Sequence, residues 1–232
     1  MKRKPRRLSL DDQRWNTGRG GPRRGAGRPA RRPGIIHHVR RPKVPGACPV
    51  HVTLRVREDV PSLRDRSLVR EFRASLAKAS ERGSFRVVHY SLQRNHVHLL
   101  VEARSKRALG CGMKSISARL ARAVNRVFRR SGPVLDGRYQ LRILRTPREV
   151  RNALAYVLLN VRKHWKQRHG QAPPVKLDEA SSGRWFTGWK QKPRGPTGGG
   201  PCEVAAPHTW LLQKGWRRRG LIDPAEVPAS GR

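Results

Sequence analysis

Two histidines separated by one residue are the first groups in this sequence that could do chemistry. His96 and His98 stand in the stretch NHVHLLVE (95–102), which alternates as a half-buried strand does. Residues i and i+2 of a strand project from one face about 6.6 Å apart, so two imidazoles can converge on one metal ion. A His-x-His pair often arises by chance in a chain with nine histidines, so its meaning depends on the rest of the sequence.

A tyrosine and an asparagine form the second candidate group. Tyr156 and Asn160 lie in a segment whose apolar residues, from Val150 to Trp165, fall in one arc of a helix. Both lie at the flank of that arc and, one turn apart, on the same side of the helix. A phenol nucleophile and an amide oxygen ligand suit metal-assisted phosphoryl transfer. Each could equally be an ordinary polar residue at the rim of an amphipathic helix.

The elements that would position these groups follow the order βαββαβ. Apolar residues at helical spacing predict a helix over 67–80, which Gly83 ends, and a second helix over 105–130. Alternating residues predict three strands besides the histidine strand, over 50–57, 84–92 and 138–144. This order is typical of a ferredoxin-like α+β fold, a four-stranded antiparallel sheet with two helices on one face.

A further helix follows the fourth strand. Thr146 suits its N-cap, Pro147 its first position and Glu149 the third position of a capping box. The predicted fold is therefore a ferredoxin-like sheet with an additional C-terminal helix that carries Tyr156.

Three regions are expected along the chain. Residues 1–46 are rich in Arg, Gly and Pro and lack periodic apolar residues, which predicts a disordered basic arm. Residues 47–168 contain the predicted elements, and residues 169–232 predict a loop-rich tail with a short amphipathic helix within 208–222. The residues expected to dock that helix are Trp210, Leu211 and Leu212.

The charge of the chain indicates a polyanionic partner. Its formal net charge is +38, from 53 Lys and Arg against 15 Asp and Glu, and such self-repulsion favours binding to nucleic acid. An anionic membrane surface is the second candidate, but the sequence shows no long basic amphipathic helix with a broad aromatic face, so a membrane partner is not expected. No apolar run approaches the roughly 20 residues of a membrane span. The three cysteines show no disulfide or zinc spacing, which is consistent with a reducing cytosol.

The second predicted helix is a candidate surface for phosphate groups. Its arginines could contact a DNA backbone, or they could form an ordinary solvated helix face. The candidate DNA-binding residues are Arg119, Arg122, Arg126, Arg129 and Arg130.

Residues 48–168 resemble the single-tyrosine HUH transposases of the IS200/IS605 type, and among them the REP-associated tyrosine transposases. The family's His-hydrophobic-His motif is matched by HVH at 96–98, and its tyrosine helix by YVLLN at 156–160. Members often have Pro after the Asn, where this chain has Val161. The two motifs in this order on a βαββαβ plan are more specific than either motif alone.

The resemblance implies a function and its residues. Tyr156 would cleave single-stranded DNA through a 5′-phosphotyrosine intermediate and rejoin it, while His96, His98 and Asn160 hold Mg²⁺ or Mn²⁺. It also implies a single-stranded DNA partner with a hairpin, a monomer or a homodimer that exchanges tyrosine helices, and the cytoplasm of a bacterium, near the nucleoid.

Two other functions remain open from the sequence. A domesticated, non-catalytic nucleic-acid-binding protein could keep the same fold. A replication initiator or relaxase uses related chemistry, but such proteins usually place the tyrosine before the histidines, whereas Tyr156 follows them. His51, on the neighbouring strand, could face the same site or serve packing or phosphate contact.

Overall fold

The computed structural model describes residues 41–191, 193, 195 and 201–228. Most of the predicted disordered arm, residues 1–40, lies outside the described residues. The strands are β1 (Val50–Arg55), β2 (Glu81–Arg82), β3 (Phe85–Leu92), β4 (His96–Ala103) and β5 (Gln140–Ile143). The helices are α1 (Arg66–Ala77), α2 (Lys106–Val127), α3 (Pro147–His169) and α4 (Trp210–Gln213), with 3₁₀ turns at Gly183–Trp185 and Gly215–Arg219.

The strands form one antiparallel sheet in the order β2-β3-β4-β1-β5. Without the two-residue β2, this is the predicted ferredoxin-like βαββαβ arrangement, which is confirmed. The prediction that Gly83 ends α1 is wrong, because α1 ends at Ala77. Gly83 instead takes a φ of 53° in the turn between β2 and β3, a left-handed conformation that glycine adopts without steric cost.

The first face of the sheet is covered by α1 and α2, as predicted. Val52 lies opposite Leu99 and Leu54 opposite Val97 on the paired strands β1 and β4. These side chains are buried in one cluster with apolar residues of both helices, among them Phe72 and Met113. Alternation then turns the intervening residues of β1 and β4 toward the second face.

The second face is covered by α3 and by the C-terminal segment. Leu154 and Leu158 of α3 are buried with Leu100 of β4, and Leu212 and Trp216 complete this cluster. The prediction that Trp210 docks the short helix is wrong, since its side chain is 47% exposed. Trp216 takes that place, fully buried and donating its indole N–H to the Leu212 carbonyl at 3.0 Å.

Helix α3 begins as its sequence predicts. The Thr146 hydroxyl accepts from the Glu149 amide, the Glu149 carboxylate accepts from the Thr146 amide, and Pro147 is the first helical residue. Satisfying these end groups and burying the apolar stripe fix both the start and the rotation of α3.

Two buried polar side chains hold the C-terminal segment in place. Glu102 of β4 accepts hydrogen bonds from the backbone amides of His208 and Thr209, at 2.7 and 2.8 Å. Arg162 of α3 donates to the carbonyls of Pro173 and Ala225, at 2.9 and 3.1 Å. Among the described residues, no helix is both long enough and apolar enough to cross a membrane.

Candidate active site

The polar part of the second face lies where β1 and β4 pair. Thr53 is opposite His98, and His51 lies two residues before Thr53 on the same face. His96, two residues before His98, shares this face. The pairing of β1 with β4 therefore brings three imidazoles and a hydroxyl together, although they come from distant parts of the sequence.

The two histidines of the HVH motif present the same ring nitrogen to each other. His98 Nδ1 lies 3.2 Å from both Thr53 Oγ1 and His51 Nε2, and His96 Nδ1 lies 2.8 Å from Asn95 Oδ1. The Nε2 atoms of His96 and His98 face each other at 3.0 Å. Each ring is thus held through Nδ1 by a neighbour, which leaves Nε2 to point into the shared space.

Tyr156 reaches this cluster from α3 of the same chain. Its ring centroid lies 5.1 Å from that of His98 and 5.9 Å from that of His51, and both pairs are edge-to-face. Tyr156 is placed there by the buried stripe of α3, because packing Leu154 and Leu158 on the sheet turns the flank of the helix toward the strand ends.

Asn160 lies one turn beyond Tyr156 and is completely buried. Neither its amide nitrogen nor its carbonyl oxygen has a hydrogen-bond partner among the described residues. His164 lies one further turn along, and its charged form would lower the pKa of both His96 and His98. Asn160 lies on α3 one turn from Tyr156 and one turn from His164, so the three residues share one side of the helix.

Burial dominates the electrostatics of the site. It lowers the pKa of His51 and of His96 to about 4 and that of His98 to about 2, with further lowering from neighbouring cationic groups. These imidazoles are therefore neutral at pH 7, the form that can bind a metal. Burial also raises the pKa of Tyr156, so its phenol is protonated at neutral pH.

A cavity of about 570 Å³ opens beside Tyr156 and His98. Its wall includes Gln140 and Arg142 of β5 and Asn152 of α3, together with the carboxylates of Glu149 and Glu226. Arg142 pairs with Glu149 at 3.3 Å, so the wall is polar and carries both signs of charge. The Lys163 ammonium lies 5.0 Å from the centre of the Tyr156 ring. Lys163 thus places a positive charge beside the tyrosine, where it can attract a phosphate group.

The five arginines considered for DNA binding lie on or just after α2, away from the histidines. Helix α2 packs on the first face of the sheet, whereas the histidines and Tyr156 lie on the second. Arg119 donates to the Ser75 backbone and hydroxyl, and Arg126 and Arg130 pair with Glu71 and Asp59. The remaining two, which are exposed, are Arg122 and Arg129. Their contact with DNA stays a prediction.

Sequence reasoning missed Thr53 and His164 as members of this site. His164 follows Asn160 at the spacing that separates Asn160 from Tyr156, so the repeat Tyr156, Asn160, His164 was a usable signal. Thr53 gave no such signal, because only the register of β1 against β4 brings it to His98.

The donor set can be tested for a metal ion. Within the described ranges, no group of three or more His, Cys, Asp or Glu side chains is arranged to hold one. The set here is a different one, two imidazoles and an amide. The facing Nε2 atoms and the buried amide without a partner are what a cation with nitrogen and oxygen ligands needs.

A family model supports the resemblance noted in the sequence over part of the chain. The profile of the family described as IS200-like transposase matches residues 46–139, a range that includes His96 and His98 and ends before Tyr156. A solved structure of a REP-associated tyrosine transposase bound to a REP hairpin is similar at 15% identity and a TM-score of 0.46. That similarity covers 56% of this chain and 74% of the other. No curated protein matches the sequence.

Proposed function

Because residues 46–139 of this chain belong to the IS200-like transposase family, we propose that it cleaves and rejoins single-stranded DNA with Tyr156 as nucleophile. The family match supports a role in DNA transposition. The observation that carries the finer proposal is the approach of the Tyr156 ring to within 5.1 Å of the His98 ring inside one chain. A single chain thus supplies the nucleophile and the candidate metal ligands.

The proposed reaction is a transfer of a phosphoryl group from a DNA oxygen to a phenol oxygen. The Tyr156 oxygen attacks the scissile phosphorus, the bond from phosphorus to the 3′-oxygen breaks, and a 5′-phosphotyrosine link forms. The phenol proton is lost and the departing 3′-oxygen gains a proton, so the step is balanced. Because a phenolate is a better leaving group than an alkoxide, a 3′-hydroxyl can reverse the step and join strands.

A divalent ion is proposed to be held by His96, His98 and Asn160. His96 Nδ1 donates to the Asn95 amide oxygen, which leaves a lone pair on its Nε2. With the proton of His98 also on Nδ1, two lone pairs would face each other at 3.0 Å. A cation between them removes that repulsion, and the Asn160 carbonyl can supply an oxygen ligand. Bound there, Mg²⁺ or Mn²⁺ would neutralise charge that grows on the phosphate oxygens.

The side chains around the tyrosine are proposed to bind and orient the DNA. Lys163 would attract the phosphate, and the cavity beside Tyr156 can accept an adjacent nucleotide. A single strand fits this arrangement better than a duplex, because a duplex keeps its phosphates on a wide cylinder and its bases stacked. A hairpin next to the cleavage site is part of the proposal through the family resemblance.

A covalent adduct tests the proposal. The protein is incubated with labelled single-stranded oligonucleotides that contain hairpins, together with Mn²⁺ or Mg²⁺, and analysed on a denaturing gel. We expect an adduct that disappears with Tyr156→Phe and with a chelator. Tyr139→Phe is the matched control, since Tyr139 is half-buried elsewhere in the structure, beside Arg41, and should leave the adduct unchanged.

The same experiment can favour the non-catalytic alternative. If the protein binds hairpin oligonucleotides but no oligonucleotide yields an adduct with either metal, it acts as a binding protein of this fold. An adduct that persists in Tyr156→Phe would show that another residue is the nucleophile.

A further inference from the structure

One tryptophan near the end of α3 is exposed, although the apolar pattern of the helix predicts that it is buried. Trp165 belongs to the apolar arc of α3 and was expected to be buried, yet its side chain is 46% exposed. Its ring stacks on that of His169, with centroids 4.3 Å apart and planes tilted by 35°. This exposed pair of stacked rings offers an aromatic surface on which a planar ligand can stack.

Trp165 lies in a groove of about 520 Å³ between α3 and α1. The α1 side of the groove carries arginines, and Pro173 and Lys176 line it from the segment that follows α3. We call this the Trp165 groove. Its volume is enough for a nucleotide or two, and its walls combine an aromatic ring with positive charge.

Some of the arginines that line the groove are available to bind a ligand, and one is already paired. Arg64 is committed, because its guanidinium forms a two-point pair with Asp178, at 2.7 and 3.0 Å. Arg66 and Arg70 are exposed on the adjacent turns of α1, and neither has an ion pair with any described residue. Two guanidinium groups one turn apart can contact successive phosphates.

The groove adjoins the candidate active site. Trp165 lies nine residues beyond Tyr156 on the same helix, about 14 Å along the helix axis. On the opposite wall, Arg64 also donates to the Leu92 carbonyl at 3.0 Å, at the end of β3 and just before the turn that leads to His96. A strand that leaves the histidines on this side therefore meets the groove within a few nucleotides.

We propose that the Trp165 groove binds unpaired DNA that flanks the cleavage site. A base stacks on the Trp165 and His169 rings, while Arg66 and Arg70 contact the phosphates on either side. This inference rests on the proposed function, and it adds a contact that fixes where the single strand runs. Stacking is tolerant of sequence, so the groove would set the path of the strand and not its base order.

Unpaired DNA suits the groove better than the other polyanions. A duplex keeps its bases in its own stack and offers no free face to Trp165. An acidic peptide would satisfy Arg66 and Arg70, but it would leave the exposed indole without a planar partner.

The test compares two oligonucleotides with the full-length protein. Both contain one hairpin, and only one carries single-stranded extensions; binding is measured by fluorescence anisotropy without metal. Stacking is worth about 1–3 kcal/mol per base, so Trp165→Ala should weaken binding of the extended oligonucleotide by about 5- to 150-fold. The blunt hairpin should bind almost as before, and Trp165→Phe should retain most of the affinity.

Two further variants complete the test. Trp210→Ala is the matched control, since Trp210 is as exposed as Trp165 but lies in the C-terminal segment, and it should bind both oligonucleotides normally. The double variant Arg66→Gln with Arg70→Gln should lower the slope of log affinity against log salt by about 1.4, as two lost contacts to a single strand predict.

The outcomes separate this inference from the proposed function. If Trp165→Ala binds both oligonucleotides as the wild type does, the groove is not a strand-binding site, whether or not the wild type forms an adduct. If Trp165→Ala loses affinity for the extended oligonucleotide but the wild type forms no adduct, the groove stands and the enzyme proposal fails. Competition by polyglutamate as strong as that by oligothymidylate of equal charge would also overturn the groove's preference for bases.

Discussion

Replacing Asn160 with leucine should make the protein more stable and less active. Asn160 is fully buried and neither polar atom of its amide has a partner among the described residues. A buried polar group without a hydrogen bond costs about 1–3 kcal/mol, and an apolar side chain of similar shape avoids that cost. We therefore expect Asn160→Leu to raise the free energy of unfolding by about 2 kcal/mol without metal, and Tm by about 4–8 °C.

Part of any gain comes from helix propensity alone, which favours leucine over asparagine by up to about 0.5 kcal/mol. Asn152→Leu measures that part, because Asn152 is an exposed asparagine of the same helix. The difference between the two variants, obtained from urea unfolding in the presence of a chelator, gives the cost of the buried amide.

Metal should reverse the order of stability. A divalent ion at 100 times its dissociation constant stabilises the native protein by about 2.7 kcal/mol. The wild type should gain that amount with Mn²⁺, whereas Asn160→Leu should gain little and should form no adduct with DNA.

Two results would refute this reasoning. If Asn160→Leu is less stable than the wild type in chelator while Asn152→Leu is not, the Asn160 amide has hydrogen-bond partners in the native protein. Its proposed role as a metal ligand without a partner in the metal-free protein is then wrong. If Mn²⁺ stabilises Asn160→Leu as much as the wild type, the ion does not need this residue.

Two other predictions concern stability alone. His89 contacts Ser182 Oγ at 3.1 Å, and burial lowers its pKa from the ordinary 6.5 to about 4. Between these two pH values the unfolded chain binds more protons than the native protein. The free energy of unfolding therefore falls as the pH drops from 6.5 toward 4. Between pH 7.5 and 5 this group should cost about 2 kcal/mol, measured as the wild type minus His89→Gln, and an equal pH dependence in both would contradict it. In α2, a Cβ at Gly112 would lie 2.2 Å from the Phe85 ring, whereas one at Gly110 meets nothing within 4 Å. Urea unfolding should therefore show Gly110→Ala to be more stable than Gly112→Ala by about 1–3 kcal/mol, and equal stabilities would mean that the Phe85 ring moves aside freely.

The fold was predictable where its signals are local. The alternation of β1 and the capping box at Thr146 are properties of a few consecutive residues, and the structure confirms them. The alternation of β4 correctly predicts a strand, but the prediction that it is half-buried is wrong, because α3 covers its second face as well. Gly83 was misassigned because a left-handed glycine suits both a helix end and a hairpin turn, and only the pairing of β2 with β3 decides between them.

Trp165 and Trp216 show where local signals fail. The buried residues of α3 end at Arg162, so residues 163–169 extend beyond the core that this helix forms with the sheet. The helical period continues past the sheet and predicts burial that cannot occur at Trp165. Conversely, the sequence pattern does not single out Trp216, and it is buried because the chain returns to α3 through contacts distant in sequence.

The candidate site was predictable as a set of residues but not as an arrangement. His96, His98, Tyr156 and Asn160 could be chosen from their types, their spacing and the resemblance to a family. The distances between these residues depend on which face of the sheet α3 covers. The alternation of β4 alone does not predict which face that is. The hydrogen bonds that orient the His98 ring come from β1, through a register that the sequence does not specify.

Helix α3 covers the second face of the sheet and also carries Tyr156, the proposed nucleophile. The stability of the fold and the geometry of the candidate site therefore depend on the same packing. Leu154 and Leu158 pack on the sheet two residues on either side of Tyr156, so any shift of α3 that relieves packing also moves the phenol. The histidines sit on strands paired in the centre of the sheet and cannot follow such a shift. The position of Tyr156 relative to His98 is therefore set mainly by how α3 packs, and the packing of Trp216 and the C-terminal segment against α3 is part of what aligns the site.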